Sequence, residues 1–459
     1  VKRRTAPWQV LALVVVLAAG LLLAPHVGRG QAAPADAGLV LEALGVLDQH
    51  YVDPVDRVRL LNAALTALER ALAAAGVTVT LEPLPAGATD NEADRLFRAR
   101  FDTAQAAAQG KLSAQALAYA AIRGMTATFN DSHTGFMTPE QYTERLRKQR
   151  REAFFSGVGI VLLPNEGRFY VRDVIPNTPA QRAGVRRFDR ILRVGDVATS
   201  GLEVDQVVNL IRGPEGTPVT LTLQRPGRPT PLVVTVVRAP IEMPSVFAAE
   251  MVQPGVGYVQ LYQFVEGTTA EMRAALGRLL GQGMRALVLD VRGNSGGFLH
   301  ELRGTLNLLL PAGLPIYQET TRGGQTTVVR TRAPAFLPRT VPIVVLVDEG
   351  SASAAELLAA ALKEHGRALI VGTKTAGAVE ASTLYRLSDG SALSVTILRM
   401  RSAKGARLER EGVTPHVTLE LTVEDLERGV DPPLARAVQL ARQRVAAGRI
   451  PTVAQSPRP

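Results

Sequence analysis

Residues 341–378 read VPIVVLVDEGSASAAELLAAALKEHGRALIVGTKTAGA. The apolar run at 343–347 is the length of a buried strand and too short for a helix. Asp348, Glu349 and Gly350 turn the chain. From Ala355 the apolar residues recur at helical spacing through Leu358, Ala361 and Leu362. A second apolar run at 368–371 follows Gly366. The stretch is therefore strand, turn, helix, strand, with Ser351 and Ser353 at the strand-to-helix junction. Such a junction can expose a nucleophile beside helix N-terminal N–H groups that meet a developing oxyanion. The same letters also read as capping alone, with Ser351 as the cap, Ser353 its neighbour and Glu356 completing a box.

Working outward, residues 255–310 repeat the alternation. A strand over 257–262, a helix over 269–280 and a buried strand over 286–290 are expected. Arg292-Gly293-Asn294-Ser295-Gly296-Gly297 then forms a glycine-rich turn before a helix over 299–310. The turn lacks the spacing of a phosphate-binding loop. Its glycines allow close backbone approach and leave N–H groups for an oxyanion or a peptide backbone.

The chain has 459 residues, 46% hydrophobic and 20% charged, which is globular composition with room for several domains. Its net charge of +10 is scattered, apart from RLRKQRR at 145–151. Without a recognition motif or many aromatics, nucleic acid is not an expected partner, and an anionic membrane surface fits the charge better. With no cysteine there is no disulfide, thiolate metal site or cysteine nucleophile. Lys2-Arg3-Arg4, the apolar residues 8–24 and the small residues 32–35 read as an export signal or a retained membrane anchor. That places the protein in the periplasm or cell envelope.

Residues 39–72 carry a helical pattern interrupted at Asp53-Pro54. VTVTL at 77–81 reads as a short strand, and helices are expected over 92–109, 114–129 behind a Ser113 cap, and 138–151. His133, one of six histidines, sits in Asp131-Ser132-His133-Thr134-Gly135 at a helix end. Residues 155–237 form a separate module of short strands and turns, with one helix at 204–211. Five segments follow: 1–36 signal or anchor and linker, 37–152 helical, 153–240 the strand module, 241–447 an α/β core, and 448–459 a disordered tail.

The phrases GVGI at 157–160, NTPA at 177–180, FDRIL at 188–192 and IRGPEGT at 211–217 make the strand module resemble a PDZ domain. The resemblance implies that Gly157, Val158, Gly159 and Ile160 offer backbone N–H groups to a peptide's C-terminal carboxylate. With YVDP at 51–54, DSHTGF at 131–136, LDVRGNSGG at 289–297 and EGVTPHV at 411–417, the chain resembles the C-terminal processing peptidases. These are serine endopeptidases with a helical N-terminal part, a PDZ domain and an α/β core of crotonase-like strand–helix repeats. The resemblance implies protein or peptide substrates with free C-termini, an acyl-enzyme, no metal and no cofactor. In the family phrase SASASE the middle serine is the nucleophile, which is Ser353 here. The N–H of Ala354, and of Gly296 or Gly297, would form the oxyanion hole.

The general base departs from the family pattern. Most members place a lysine where GTKTAGAVEAS at 372–382 has Ala378, and a glutamine where it has Ser382. Serine needs a base at neutral pH. Three readings stay open. Tricorn-type peptidases pair their serine with a Ser-His dipeptide and a glutamate, matched here by Ser132-His133 and Glu409. Lys374, four residues before Ala378, is a second base candidate. In the third the site is inert and the protein is a scaffold that binds C-terminal peptides.

Overall fold

A computed structural model describes residues 36–129, 131–149 and 156–447. The expected signal or anchor up to residue 35, residues 150–151 of the basic run and the expected tail lie outside those residues. Among the described residues no helix is long and apolar enough to cross a membrane.

The core is a six-stranded sheet in the order Val246–Gln253, Val256–Leu261, Ala286–Asp290, Ile343–Val347, Ala368–Gly372, Val417–Thr418. The first pair is antiparallel and the rest run parallel. Both faces of Ile343–Val347 are covered, which is why the segment reads as an unbroken apolar run. Ile343, Val345 and Val347 pack with helices Thr268–Gly281, Leu299–Leu309 and Ala354–Glu364, whereas Val344 and Leu346 face Ala437, Val438 and Ala441 of helix Pro432–Ala446. The glycine-rich turn and the serine turn leave the carboxyl ends of adjacent strands Ala286–Asp290 and Ile343–Val347. That adjacency brings two distant sequence motifs to one place.

A second sheet was not visible in the letters. It joins Gly135–Met137, Ala392–Ser402, Pro315–Thr321 and Thr326–Arg330, with Ala381–Arg386 also paired to Ala392–Ser402. The N-terminal helices Ala37–His50, Arg57–Ala74, Asp90–Ala108 and Ala114–Thr126 pack into one core with Leu387, Leu393 and Val395 of this region. The helix break falls at 51–56 as Pro54 requires, and Ser113 Oγ accepts the Ala116 N–H at 3.1 Å. The expected strand at 77–81 is not one. Val77, Val79 and Leu81 do turn inward, but they lie on the helices with no strand beside them, and Leu81 N–H donates to Glu69 Oε1 at 2.7 Å.

The PDZ module forms its own sheet, in the order Ile160–Asn165, Arg168–Val174, Arg190–Val194, Pro218–Gln224, Leu232–Val237, around its own apolar core. Ser156–Gly157 pairs with Ala239–Pro240 at its neck. The module docks on the α/β core through the Gln260 Nε2 to Asp173 Oδ1 hydrogen bond at 2.8 Å and the Arg187–Asp431 ion pair at 3.2 Å. Tyr170 and Phe188 pack there on Val423 and Leu426.

Candidate active site

Ser353 occupies the N-cap position of helix Ala354–Glu364 with φ 54° and ψ −118°. A serine held there stores roughly 1–3 kcal/mol of backbone strain, which the surrounding contacts must over-determine. They do. Its N–H donates to Ala378 O at 2.8 Å and Glu356 Oε2 at 3.1 Å. The side chain is half-buried.

Ser351 has a different task from the expected cap. Its Oγ donates to Val291 O at 2.8 Å and accepts the Asp348 N–H at 3.0 Å, so it pins the ends of two neighbouring strands. Ser353, not Ser351, holds the helix N-cap position.

Glu356 is fully buried beneath the turn. Its carboxylate accepts Thr375 Oγ1 at 2.6 Å, Gly377 N–H at 2.7 Å and Ala378 N–H at 2.8 Å, besides Ser353 N–H. Burial raises its pKa and these hydrogen bonds oppose the rise. The capping pattern hinted at Glu356, but nothing local to the helix revealed its tie to residues 375–378.

The oxyanion candidates sort themselves by hydrogen bonding. Gly296 N–H donates to Asn294 Oδ1 at 2.9 Å, and Asn294 O in turn accepts Ala352 N–H at 2.9 Å. Among the described residues the N–H groups of Ala354 and Gly297 meet no acceptor. Gly296 lies against Ser353 and Ala354: a Cβ there would stand 2.6 Å from Ser353 Cβ and 2.9 Å from the Ala354 nitrogen. A Cβ at Gly297, where φ is 139°, would run into the Phe264 carbonyl. The glycines thus leave room for a substrate carbonyl beside Ser353.

His133 is half-buried, with Nδ1 3.1 Å from Ser132 Oγ. Its backbone N–H donates to Asp131 Oδ1 at 2.9 Å, which fixes the turn. Burial lowers the His133 pKa, and the charges of Glu409 and Asp131 act against that. Glu409 is buried, and its Oε2 accepts the Val379 N–H at 2.9 Å and the Glu380 N–H at 3.4 Å. The segment 378–380 therefore touches the nucleophile at one end and the Glu409 carboxylate at the other. Among the described residues no hydrogen bond joins Ser353 Oγ to His133 or Lys374, or His133 to Glu409. Lys374 is exposed, outside the desolvated setting a lysine base needs. His416 Nδ1 accepts the Ile370 N–H at 3.0 Å, a structural role, and His300 pairs with Glu266 at 3.1 Å.

In the PDZ module, Val158 and Gly159 have N–H groups without acceptors among the described residues. Gly159 has φ 87°, and a Cβ there would strike Thr178. Ile160–Asn165 is an edge strand with one neighbour, Arg168–Val174. Free donors beside an open strand edge suit a chain terminus added as a further strand.

Comparison with known proteins gives the site its family. Residues 255–419 match peptidase family S41, and residues 170–225 match a PDZ domain. The chain is 30% identical over 362 residues to the carboxy-terminal processing protease CtpA of Bacillus subtilis, covering 79% of this chain and 76% of that protein. It is 32% identical over 305 residues to a carboxyl-terminal-processing protease of Synechocystis sp., covering 66% of this chain and 71% of that one. The solved structure of a photosystem II D1 C-terminal processing protease superposes with a TM-score of 0.52 at 26% identity, over 92% of this chain and all of that one (100%). The strained serine, its free N–H neighbours and the PDZ module thus belong to a serine-type peptidase, and the chain is a member of the carboxy-terminal processing proteases of peptidase family S41.

Proposed function

We propose that Ser353 is the nucleophile, His133 its general base and Glu409 the carboxylate that favours the base, in an exported enzyme that cleaves proteins near their C-termini. The observation that carries the reading is the shared segment 378–380. Its Ala378 carbonyl holds the Ser353 N–H, and its next two N–H groups hold Glu409, whose charge acts on His133. The lowered pKa keeps His133 neutral, as a base must be, to below its usual titration range.

Ser353 Oγ attacks the scissile carbonyl while His133 takes the hydroxyl proton. The oxyanion accepts from Ala354 and Gly297 N–H. Collapse expels the amine, which receives the proton from His133 and leaves an acyl-enzyme. Water, deprotonated by His133, then releases the acid. In this reading the hydrogen bond from Ser353 Oγ to His133 forms with substrate bound. The PDZ module supplies the substrate by holding its terminal carboxylate on Val158 and Gly159 N–H, with the preceding residues along Ile160–Asn165. The basic, apolar and small-residue segments at residues 2–35 support export and an attachment to the membrane surface.

The test is turnover of an unstructured protein bearing an apolar C-terminus. Ser353→Ala and His133→Ala should both fall to background, while Lys374→Ala retains activity. Activity surviving His133→Ala but lost in Lys374→Ala would assign the base to the lysine. Background turnover by the wild type itself would support the scaffold reading.

A further inference from the structure

With Gly297 N–H on the glycine-rich turn and Ala354 N–H after the serine turn donating to one oxyanion, the spacing of the two turns sets the geometry of the site. Hydrogen bonds cross between them. Ser351 Oγ donates to Val291 O at 2.8 Å, and Ala352 N–H donates to Asn294 O at 2.9 Å. Asp348, the first residue after strand Ile343–Val347, adds a side-chain bridge. Its Oδ1 accepts Gly293 N–H at 2.6 Å and Gly350 N–H at 3.0 Å. One carboxylate oxygen thus holds an N–H of each turn. The turns meet there backbone to backbone: a Cβ on Gly350 would stand 2.9 Å from Gly293 Cα, and Gly293 itself has φ 63°.

We propose that Asp348 is a positioning residue for the reaction: by accepting Gly293 N–H and Gly350 N–H on one oxygen, it sets the spacing of the two oxyanion donors. This role depends on Ser353 being the nucleophile and on Ala354 and Gly297 being the donors. The path from Asp348 to the donors is short. Asn294, next to Gly293, accepts Gly296 N–H on Oδ1 at 2.9 Å and donates from Nδ2 to Leu261 O at 2.8 Å. A displacement of Gly293 therefore reaches Gly296, which lies against Ser353 and Ala354. Misplacing a catalytic group by about 1 Å can cost 10²-fold in rate, so a clamp at this point has a large lever.

What the clamp requires is an acceptor at a fixed reach from the backbone, and charge is secondary. The other oxygen, Oδ2, lies 3.7 Å from Arg172 Nη2 of the PDZ module, beyond hydrogen-bond distance. The Asp348 side chain is 30% exposed, and an ion pair of that length at a partly open site contributes little. An amide oxygen at the same reach can accept both N–H groups, whereas a carboxylate one methylene further out cannot occupy the same point between them. Reach and charge can therefore be varied one at a time.

The experiment compares Asp348→Ala, Asp348→Asn and Asp348→Glu in the full chain, by turnover of an unstructured protein and by the rate of Ser353 labelling with a fluorophosphonate, with the thermal midpoint measured alongside. Asp348→Ala should lose about 10²-fold in kcat with KM within about twofold, and labelling should slow in step, because the phosphonyl oxygen uses the same donors. Asp348→Asn should recover activity to within about fivefold of the wild type, while Asp348→Glu should stay at least about tenfold down. The reverse order, with Glu restoring activity and Asn not, would assign the effect to charge and overturn the proposal. So would a wild-type kcat in Asp348→Ala, a loss confined to KM, or losses in all three variants that follow the thermal midpoint. If Asp348→Ala does not fold, the order of Asn and Glu decides alone. Absence of a Ser353 adduct in the wild type would sink the nucleophile reading itself, whereas wild-type labelling with an unimpaired Asp348→Glu sinks only the positioning role.

Discussion

The two halves of the proposed catalytic apparatus are built differently. The nucleophile half is backbone work: Ser353 is held by Ala378 O and Glu356, the glycine turn is held by Asn294, and two N–H groups are left over for an oxyanion. The base half is assembled from side chains. His133 comes with Asp131 from a turn before strand Gly135–Met137, and Glu409 from a loop before strand Val417–Thr418. A site of this kind can exchange its base while keeping its nucleophile, because the 378–380 backbone serves the serine whatever side chain position 378 bears. On that proposal, alanine at position 378 leaves the backbone contact of Ser353 with Ala378 O in place.

Substitutions on each side put this contrast at risk. The largest effect should come from the base: His133→Ala should lower kcat by about 10³–10⁴-fold, while Lys374→Ala stays within about twofold. A Lys374→Ala loss equal to that of His133→Ala would erase the distinction between the halves. Next is the oxyanion turn. Gly297→Ala forces a Cβ against the Phe264 carbonyl at positive φ, so kcat should fall by at least about 10²-fold with a lower thermal midpoint. A wild-type kcat in Gly297→Ala would show that this loop is not part of the site.

Glu356→Gln then probes the wiring beneath the serine. The amide presents donors to a pocket of donors, and stability should fall by about 1–3 kcal/mol, read from denaturant midpoints. An unchanged midpoint would mean that Glu356 does not over-determine the strained Ser353. The smallest catalytic effect belongs to the PDZ loop. Gly159→Ala should raise KM for a protein substrate several-fold and leave the reactivity of Ser353 toward a small phosphonylating reagent unchanged. Loss of that reactivity would mean that the loop acts on the catalytic centre itself.

What the letters disclosed follows the same division. The strand 343–347, its helix and the glycine turn were legible because burial on both faces, helical spacing and glycine are local signals. The place of Ser353 at the strand-to-helix junction was legible in the same local pattern. The division of labour between Ser351 and Ser353 was not, since Ser351 finds its partner at Val291, just past the end of a neighbouring strand. The second sheet escaped because its pairings, such as Tyr317 with Ser402, join segments far apart in sequence. At 77–81 alternation was read as a strand, whereas the inward residues pack on helices.

The central claim is that Ser353 is activated by His133. Its most direct test is covalent labelling of Ser353 by a fluorophosphonate, read by peptide mass spectrometry as a rate across the wild type, His133→Ala and Lys374→Ala. An adduct on Ser353 should form at comparable rates in the wild type and Lys374→Ala and at least about 10²-fold more slowly in His133→Ala. Equal labelling of the wild type and His133→Ala, with loss in Lys374→Ala, would contradict it.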